Sequence, residues 1–194
     1  MLAYGLPTIR VDSRYPKEQR EYMGPWEQGI LLTMLERIQP KRMIEFGVQE
    51  GRTAAAILKW IETIEYYLGI DVPFETVMPI RGQQSEVPRE PGCRVKKGDP
   101  RFEVLLRGGY SGFEDSVIAS KGPFDVAFID GDHSRNGVQN DYNLACRILR
   151  PNGWVFWHDY GNNTVEVTGV LDEMCQAGHN IVHIEGTMLA YEQL

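Results

Sequence analysis

Apolar and polar positions alternate along this chain in blocks that predict strands and helices in turn. From Pro25 the residues Trp26, Ile30, Leu31, Met34, Leu35 and Ile38 recur at helical spacing. Pro25 suits a first helical position and Pro40 stops the helix. Met43 to Val48 reads as a short strand, followed by a helix from about Arg52 to Glu65 and a second strand, Tyr66 to Asp71. Between Pro73 and Gly92 the periodicity lapses among Pro73, Pro79, Pro88 and Pro91, leaving at most a short helix at Phe74 to Met78. A long irregular segment is either a functional flap or disordered; the expectation is a mobile flap at residues 73–92, with disorder as the competing reading. Cys93 to Lys97 reads as a third strand, with helices at Arg101 to Arg107 and Phe113 to Ala119. Phe124 to Asp130 is apolar enough for a central strand buried on both faces. Val138, Tyr142, Ala145, Ile148 and Leu149 form a helical stripe, Trp154 to Tyr160 another strand, and Val165 to Ala177 a last helix. Ile181 to Ile184 and Met188 to Tyr191, joined around Gly186, form an antiparallel pair.

This alternation predicts an α/β fold with a mostly parallel sheet, helices on both faces and right-handed crossovers. Residues 1–24 are polar and weakly periodic and read as an irregular N-terminal arm; residues 25–194 read as a single domain. A chain of 194 residues, 42% of them hydrophobic, is long enough for one well-buried domain.

The net charge of -7 argues against broad nucleic-acid binding, which draws on clustered Lys and Arg. Arg94, Lys96 and Lys97 lie together, and solubility of a strand edge accounts for them. No apolar run approaches a membrane span, and the N-terminus lacks the apolar core of a signal peptide. Cys93, Cys146 and Cys175 have unrelated spacings and read as reduced thiols in a cytoplasmic protein. A homo-oligomer is left open.

The chemistry gathers at the turn after the first strand, Glu45-Phe46-Gly47-Val48-Gln49-Glu50-Gly51. Glycines there let a ligand approach bare backbone, and the following helix start presents N–H groups. A dinucleotide fingerprint requires a glycine where Gln49 stands, which disfavours a nicotinamide-dependent oxidoreductase. Glu45 suits a ligand carrying an ammonium group. Asp71 follows Gly51 by about twenty residues, the separation at which an acid receives ribose hydroxyls; a capping role is the alternative. Glu45, Asp71, Asp99, Asp130 and Asp159 each fall at a predicted strand end. Like charges crowded on one rim repel unless a ligand with several donors or a cation relieves them.

Glu45-x-Gly47-x-x-x-Gly51 after a first strand resembles motif I of the class I S-adenosylmethionine-dependent methyltransferases. That resemblance implies the seven-stranded Rossmann-like methyltransferase fold over residues 25–194 and S-adenosyl-L-methionine as cofactor. Glu45, Gly47, Val48, Gly51, Asp71, Asp99 and Asp130 would contact it, with Asp99 at the adenine amino group. Phe124-Asp125-x-x-x-Ile129-Asp130-Gly131-Asp132-His133 with His158-Asp159 looks like the metal-dependent O-methyltransferases acting on small molecules, nearest the macrocin O-methyltransferase and cephalosporin-hydroxylase-like subgroup. It implies a hydroxyl acceptor, a divalent cation such as Mg on Asp130 and Asp159, and His133 as general base with Asp130 beside it. His158 stands where that subgroup usually has Glu; as an imidazole it is a candidate ligand, and its presence leaves metal dependence open. His133 could instead cap the turn after its strand, and His179 and His183 read as structural. Tyr160 is a candidate substrate contact. The alternatives are a cofactor-binding protein of the same fold without catalysis, or a methyltransferase acting on a nitrogen or a macromolecule.

Overall fold

The computed structural model describes residues 23–108 and 112–194. The expected N-terminal arm therefore lies outside the described residues, apart from Met23 and Gly24. Helix α1 (Pro25–Ile38) is followed by β1 (Arg42–Phe46), α2 (Arg52–Trp60), β2 (Tyr66–Asp71), a 3-10 helix (Arg81–Glu86) and β3 (Phe102–Leu106). Then come α3 (Gly112–Ser120), β4 (Phe124–Ile129), α4 (Arg135–Ile148), β5 (Leu149–Trp157), α5 (Val167–Gln176), β6 (Val182–His183) and β7 (Ala190–Gln193).

The seven strands form one sheet in the order β3-β2-β1-β4-β5-β7-β6. The pairings among β1 to β5 are parallel, and β7 runs antiparallel to both β5 and β6. This is the Rossmann-like methyltransferase sheet with its closing antiparallel hairpin. Sequence order reverses at β1, whose two neighbours are β2 and β4. A parallel sheet opens a crevice at such a reversal, outside the carboxyl ends of its strands.

Side chains alternate across each strand, so β1 sends Met43 and Glu45 to one face and Ile44 and Phe46 to the other. On the first face Met43, Tyr67, Phe128 and Phe156 meet Leu31 and Leu35 of α1 and Ile57 of α2. On the second, Ile44, Phe46, Ile129 and Trp157 meet Ile118 of α3, Leu144 and Ile148 of α4 and Leu171 of α5. Every residue of β4 is buried, as its apolar run predicts. Among the described residues no helix is long and apolar enough to cross a membrane.

Three expectations are corrected. Cys93 to Lys97 is turn and bend rather than a strand, and the third strand is Phe102–Leu106, where a helix was expected. That strand lies at the sheet edge, paired only with β2, and none of its residues is fully buried, so its apolar pattern is weak. Consequently Asp99 stands at the amino end of β3, at the opposite rim from the crevice. Its carboxylate accepts from Arg101 N at 3.1 Å and Nε at 2.9 Å and pairs with Nη2 at 2.7 Å. Helix α2 ends at Trp60, short of the expected Glu65. In the 73–92 segment the helical turn is at Arg81–Glu86, not at Phe74 to Met78.

Candidate active site

The turn after β1 carries three left-handed residues, Gly47 (φ 86°), Gln49 (φ 48°) and Gly51 (φ 85°). Glycine is required at Gly47, because a Cβ there would lie 2.1 Å from the carbonyl oxygen of Asp130. The tips of β1 and β4 thus touch through bare backbone. Gln49 N donates to Asp71 Oδ2 at 2.6 Å, and Val72 N donates to Oδ1 at 2.8 Å. These two N–H groups hold the carboxylate at the crevice while leaving it lone pairs for another donor. Burial pushes Asp71 up to about 6, against the pull of the two backbone hydrogen bonds.

A cavity of about 680 Å³ opens over the strand ends, a volume ordinary for a small-molecule site. Gly47, Gln49 and Asp71 line one part of it and Asp130, His133, His158 and Asp159 the other. His133 Nε2 lies 3.3 Å from Asp130 Oδ1 and 3.4 Å from Asp159 Oδ2. His158 Nδ1 lies 3.4 Å and 3.5 Å from the same two oxygens. Two imidazoles therefore straddle two carboxylates. Asp159 reaches this position from a left-handed backbone (φ 64°), tolerable for Asp, and Asn162 Nδ2 donates to its Oδ1 at 2.7 Å.

Electrostatics tie the cluster together. Burial alone would raise Asp130, but the charge of His158 and hydrogen bonds from both histidines hold it well below the usual carboxylate range. Asp159 is lowered in the same way by His158 and Asn162, against burial and the Asp130 charge. Burial favours a neutral His158 ring, yet Asp130, Asp159 and Glu27 together push it up to about 12. Burial also opposes charge on His133, and the facing carboxylates outweigh it and raise the pKa.

Several site residues carry no signal in the sequence pattern. Glu27, from the first turn of α1, sets Oε2 3.6 Å from His158 Nε2 and accepts from Met188 N through Oε1. Arg107, just past β3, is buried with Nη1 2.6 Å from Asp141 Oδ1 and Nη2 2.6 Å from Asp115 Oδ1. Burial pushes Asp141 up to about 7 against the pull of Arg107. Gln83, on the 3-10 helix, bonds His133 from above the strand ends.

The expected site residues divide accordingly. Gly47, Asp71, Asp130, His133, His158 and Asp159 share the cavity. Glu45, Val48 and Gly51 do not line it. Glu45 points into the first core face, where Tyr67 Oη donates to its Oε2 at 2.8 Å and burial raises its pKa well above the ordinary value. Asp99 is absent from the cavity for the reason given above. The side-chain atoms that converge tightly enough to hold a metal ion, all within 4.8 Å of one another, belong to Asp130, His133 and Asp159; His133 takes the place expected of His158. Ser134, not His133, caps α4, its side chain accepting from Gly137 N at 3.2 Å. Tyr160 turns away and donates to Asp172 Oδ1 at 2.8 Å.

A methyltransferase-domain family matches residues 44–160, from β1 through the tip of β5. The chain belongs to the methyltransferase family. Its span covers the glycine turn, Asp71 and the Asp130–Asp159 cluster, in agreement with the class I S-adenosylmethionine-dependent resemblance read from motif I. No curated protein matches the sequence. Among solved structures, this chain is similar to MycE methyltransferase of the mycinamycin biosynthetic pathway in complex with Mg and SAH, at 16% identity and TM-score 0.56. That match covers 82% of this chain and 48% of MycE, so the chain spans about half of MycE's length. It is similar also to cofactor-bound Rv0187 from MTB, at 17% identity, TM-score 0.62, and 90% and 82% of the two chains. An O-methyltransferase from Bacillus cereus in complex with SAH matches at 14% identity, TM-score 0.60, and 91% and 84% of the two chains. At such identities the likeness is one of fold.

Proposed function

We propose that this methyltransferase transfers a methyl group from S-adenosylmethionine to a hydroxyl oxygen of a small molecule. The observation that carries the reading is the single cavity in which Gly47 and Asp71 face the Asp130–His133–Asp159 cluster. A ligand bound along it would meet a ribose-receiving acid at one end and a proton-accepting cluster at the other. SAH in the structures of MycE and the Bacillus cereus enzyme supports the same occupant here.

S-adenosylmethionine would supply an electrophilic methyl group on a sulfonium. Asp71 would receive the ribose hydroxyls, and the backbone of the Gly47 turn would admit the amino-acid end. Glu45, behind that turn and bonded to Tyr67, would stand outside the cofactor's contacts. The acceptor oxygen forms its bond to the methyl carbon as the carbon–sulfur bond breaks, and its proton passes to the cluster. Holding the oxygen in line with the methyl group is the protein's main contribution, and the cluster relieves charge as it develops.

The donor set fits a hard divalent cation, since Asp130 and Asp159 offer adjacent carboxylate oxygens. Such a cation would lower the pKa of a hydroxyl it held. Mg in the MycE complex supports that fit.

The test is calorimetric titration with S-adenosylhomocysteine, followed by mass-spectrometric detection of methylated products from a panel of small hydroxyl and amine compounds. Binding in the micromolar range, with methylation confined to hydroxyls, is the expected result. Cofactor binding without transfer to any acceptor would overturn the enzymatic reading, and methylation of amines alone would overturn the oxygen assignment.

A further inference from the structure

The 3-10 helix Arg81–Glu86 delivers one buried polar side chain to the site: Gln83, 5% exposed. Its amide meets three groups. Oε1 accepts from the backbone N–H of His133 at 3.2 Å, Nε2 donates to the carbonyl of Gly131 at 3.0 Å, and Nε2 also lies 2.7 Å from His133 Nδ1. The two backbone partners settle which end of the amide is which. An N–H can only donate and a carbonyl can only accept, so turning the amide over would set donor against donor and acceptor against acceptor. With Nε2 placed by Gly131 and Oε1 by His133 N, the group facing Nδ1 is an N–H donor. Nδ1 must therefore accept.

We propose that Gln83 is a positioning residue that decides which nitrogen of His133 carries the hydrogen. Against the facing carboxylates, which favour a charged ring, it keeps Nδ1 bare, so that the one ring hydrogen sits on Nε2, aimed at Asp130 Oδ1 (3.3 Å) and Asp159 Oδ2 (3.4 Å). A ring held this way donates to the carboxylate pair. It has no lone pair on Nε2 with which to take a proton from an acceptor or to bind a cation. The segment at residues 73–92 is on this account part of the catalytic apparatus, because it supplies the group that fixes the histidine.

Where the methyl-transfer reading holds, on which this consequence rests, the proton of the acceptor hydroxyl goes to a carboxylate of Asp130 or Asp159. His133 braces the pair that receives it, and any cation would sit on their oxygens without the imidazole. The tautomer itself depends on no cofactor or acceptor.

The test is long-range 1H–15N spectroscopy of the full chain with 15N-labelled histidine, the His133 signals being assigned by their loss in His133→Asn. In the wild-type protein Nδ1 should resonate as an unprotonated nitrogen and Nε2 as a protonated one. Gln83→Leu should remove the donor that keeps Nδ1 bare, so that Nδ1 gains a hydrogen while Nε2 keeps its own and the two shifts draw together. Gln83→Glu should put a hydrogen on both nitrogens, because a carboxylate then faces Nδ1 while Asp130 and Asp159 still face Nε2. Unmoved signals from His179 and His183 show that each variant is folded, and the wild-type spectrum decides even where a variant fails to fold. A protonated Nδ1 in the wild type, or an unchanged pattern in folded Gln83→Leu, would overturn the proposal. A separate titration with S-adenosylhomocysteine tells failure of the tautomer assignment from failure of the methyltransferase reading.

Discussion

Asp71 and Asp130 are the same residue type at the carboxyl ends of two strands that both flank β1, yet their surroundings oppose each other. Asp71 is met by the backbone N–H groups of Gln49 and Val72, and burial lifts it to about 6. Asp130 faces the rings of His133 and His158, which hold it far down despite its burial. The first environment suits a carboxylate that receives neutral hydroxyls. The second gives a charged network that stays ionised and can absorb a proton or face a cation. Strand topology places both acids on one crevice; what differs is whether dipoles or charges answer them.

Removing the contact that joins the two regions should have the largest effect. Gly47→Ala puts a Cβ 2.1 Å from the Asp130 carbonyl, at a positive φ. Neither backbone can move freely, so a loss of about 4 kcal/mol is expected in denaturant unfolding, together with loss of cofactor binding. An unchanged unfolding midpoint would separate the regions.

Breaking the charged half comes next. Asp130→Ala leaves the buried His158 ring with two carboxylates instead of three, and about 3 kcal/mol should be lost. The Asp130 side chain keeps 23% exposure to the cavity, which places the loss at the lower end of the range for buried pairs. Asp71→Ala, by contrast, should leave the charged cluster intact and weaken S-adenosylhomocysteine binding about 10- to 100-fold, the worth of hydrogen bonds to a charged acceptor. Equal affinity in calorimetry would remove Asp71 from the cofactor site.

A smaller effect follows from protonation of Asp71. In the proposed role only its ionised form would accept from both ribose hydroxyls, so cofactor affinity should be flat well above pH 6. It should fall as pH drops through about 6, by at most about tenfold per unit from one group. The slope attributable to this group should vanish in Asp71→Asn. Smallest of all, Arg147→Ala removes an exposed partner of Asp115, 3.0 Å away, and should cost within about 0.5 kcal/mol in thermal unfolding.

The contrast between the two regions also explains what the sequence made legible. Helix α1, β2 and β4 have strong periodic or continuous apolar patterns, and those patterns alone place the acids closing β2 and β4 on one rim. Strand β3 carried little signal because an edge strand half open to solvent has no fully buried face. Its misplacement carried Asp99 to the wrong rim. Gln83 lies in a 3-10 helix of 6 residues, too short for a period, and Glu27 reaches His158 from a helix more than a hundred residues earlier in the chain. Tertiary placement alone brings them in. Glu45 was found by motif but misjudged in direction: strand alternation sends it to the core face with Tyr67.

The most direct test of the central claim, that one cavity joins a ribose-binding acid to a proton-accepting cluster, is a crystal structure of the complex with S-adenosylhomocysteine. The account predicts ribose hydroxyls on the Asp71 carboxylate and the sulfur turned towards Asp130, His133 and Asp159. A ribose bound elsewhere, or a sulfur facing away from that cluster, would contradict it.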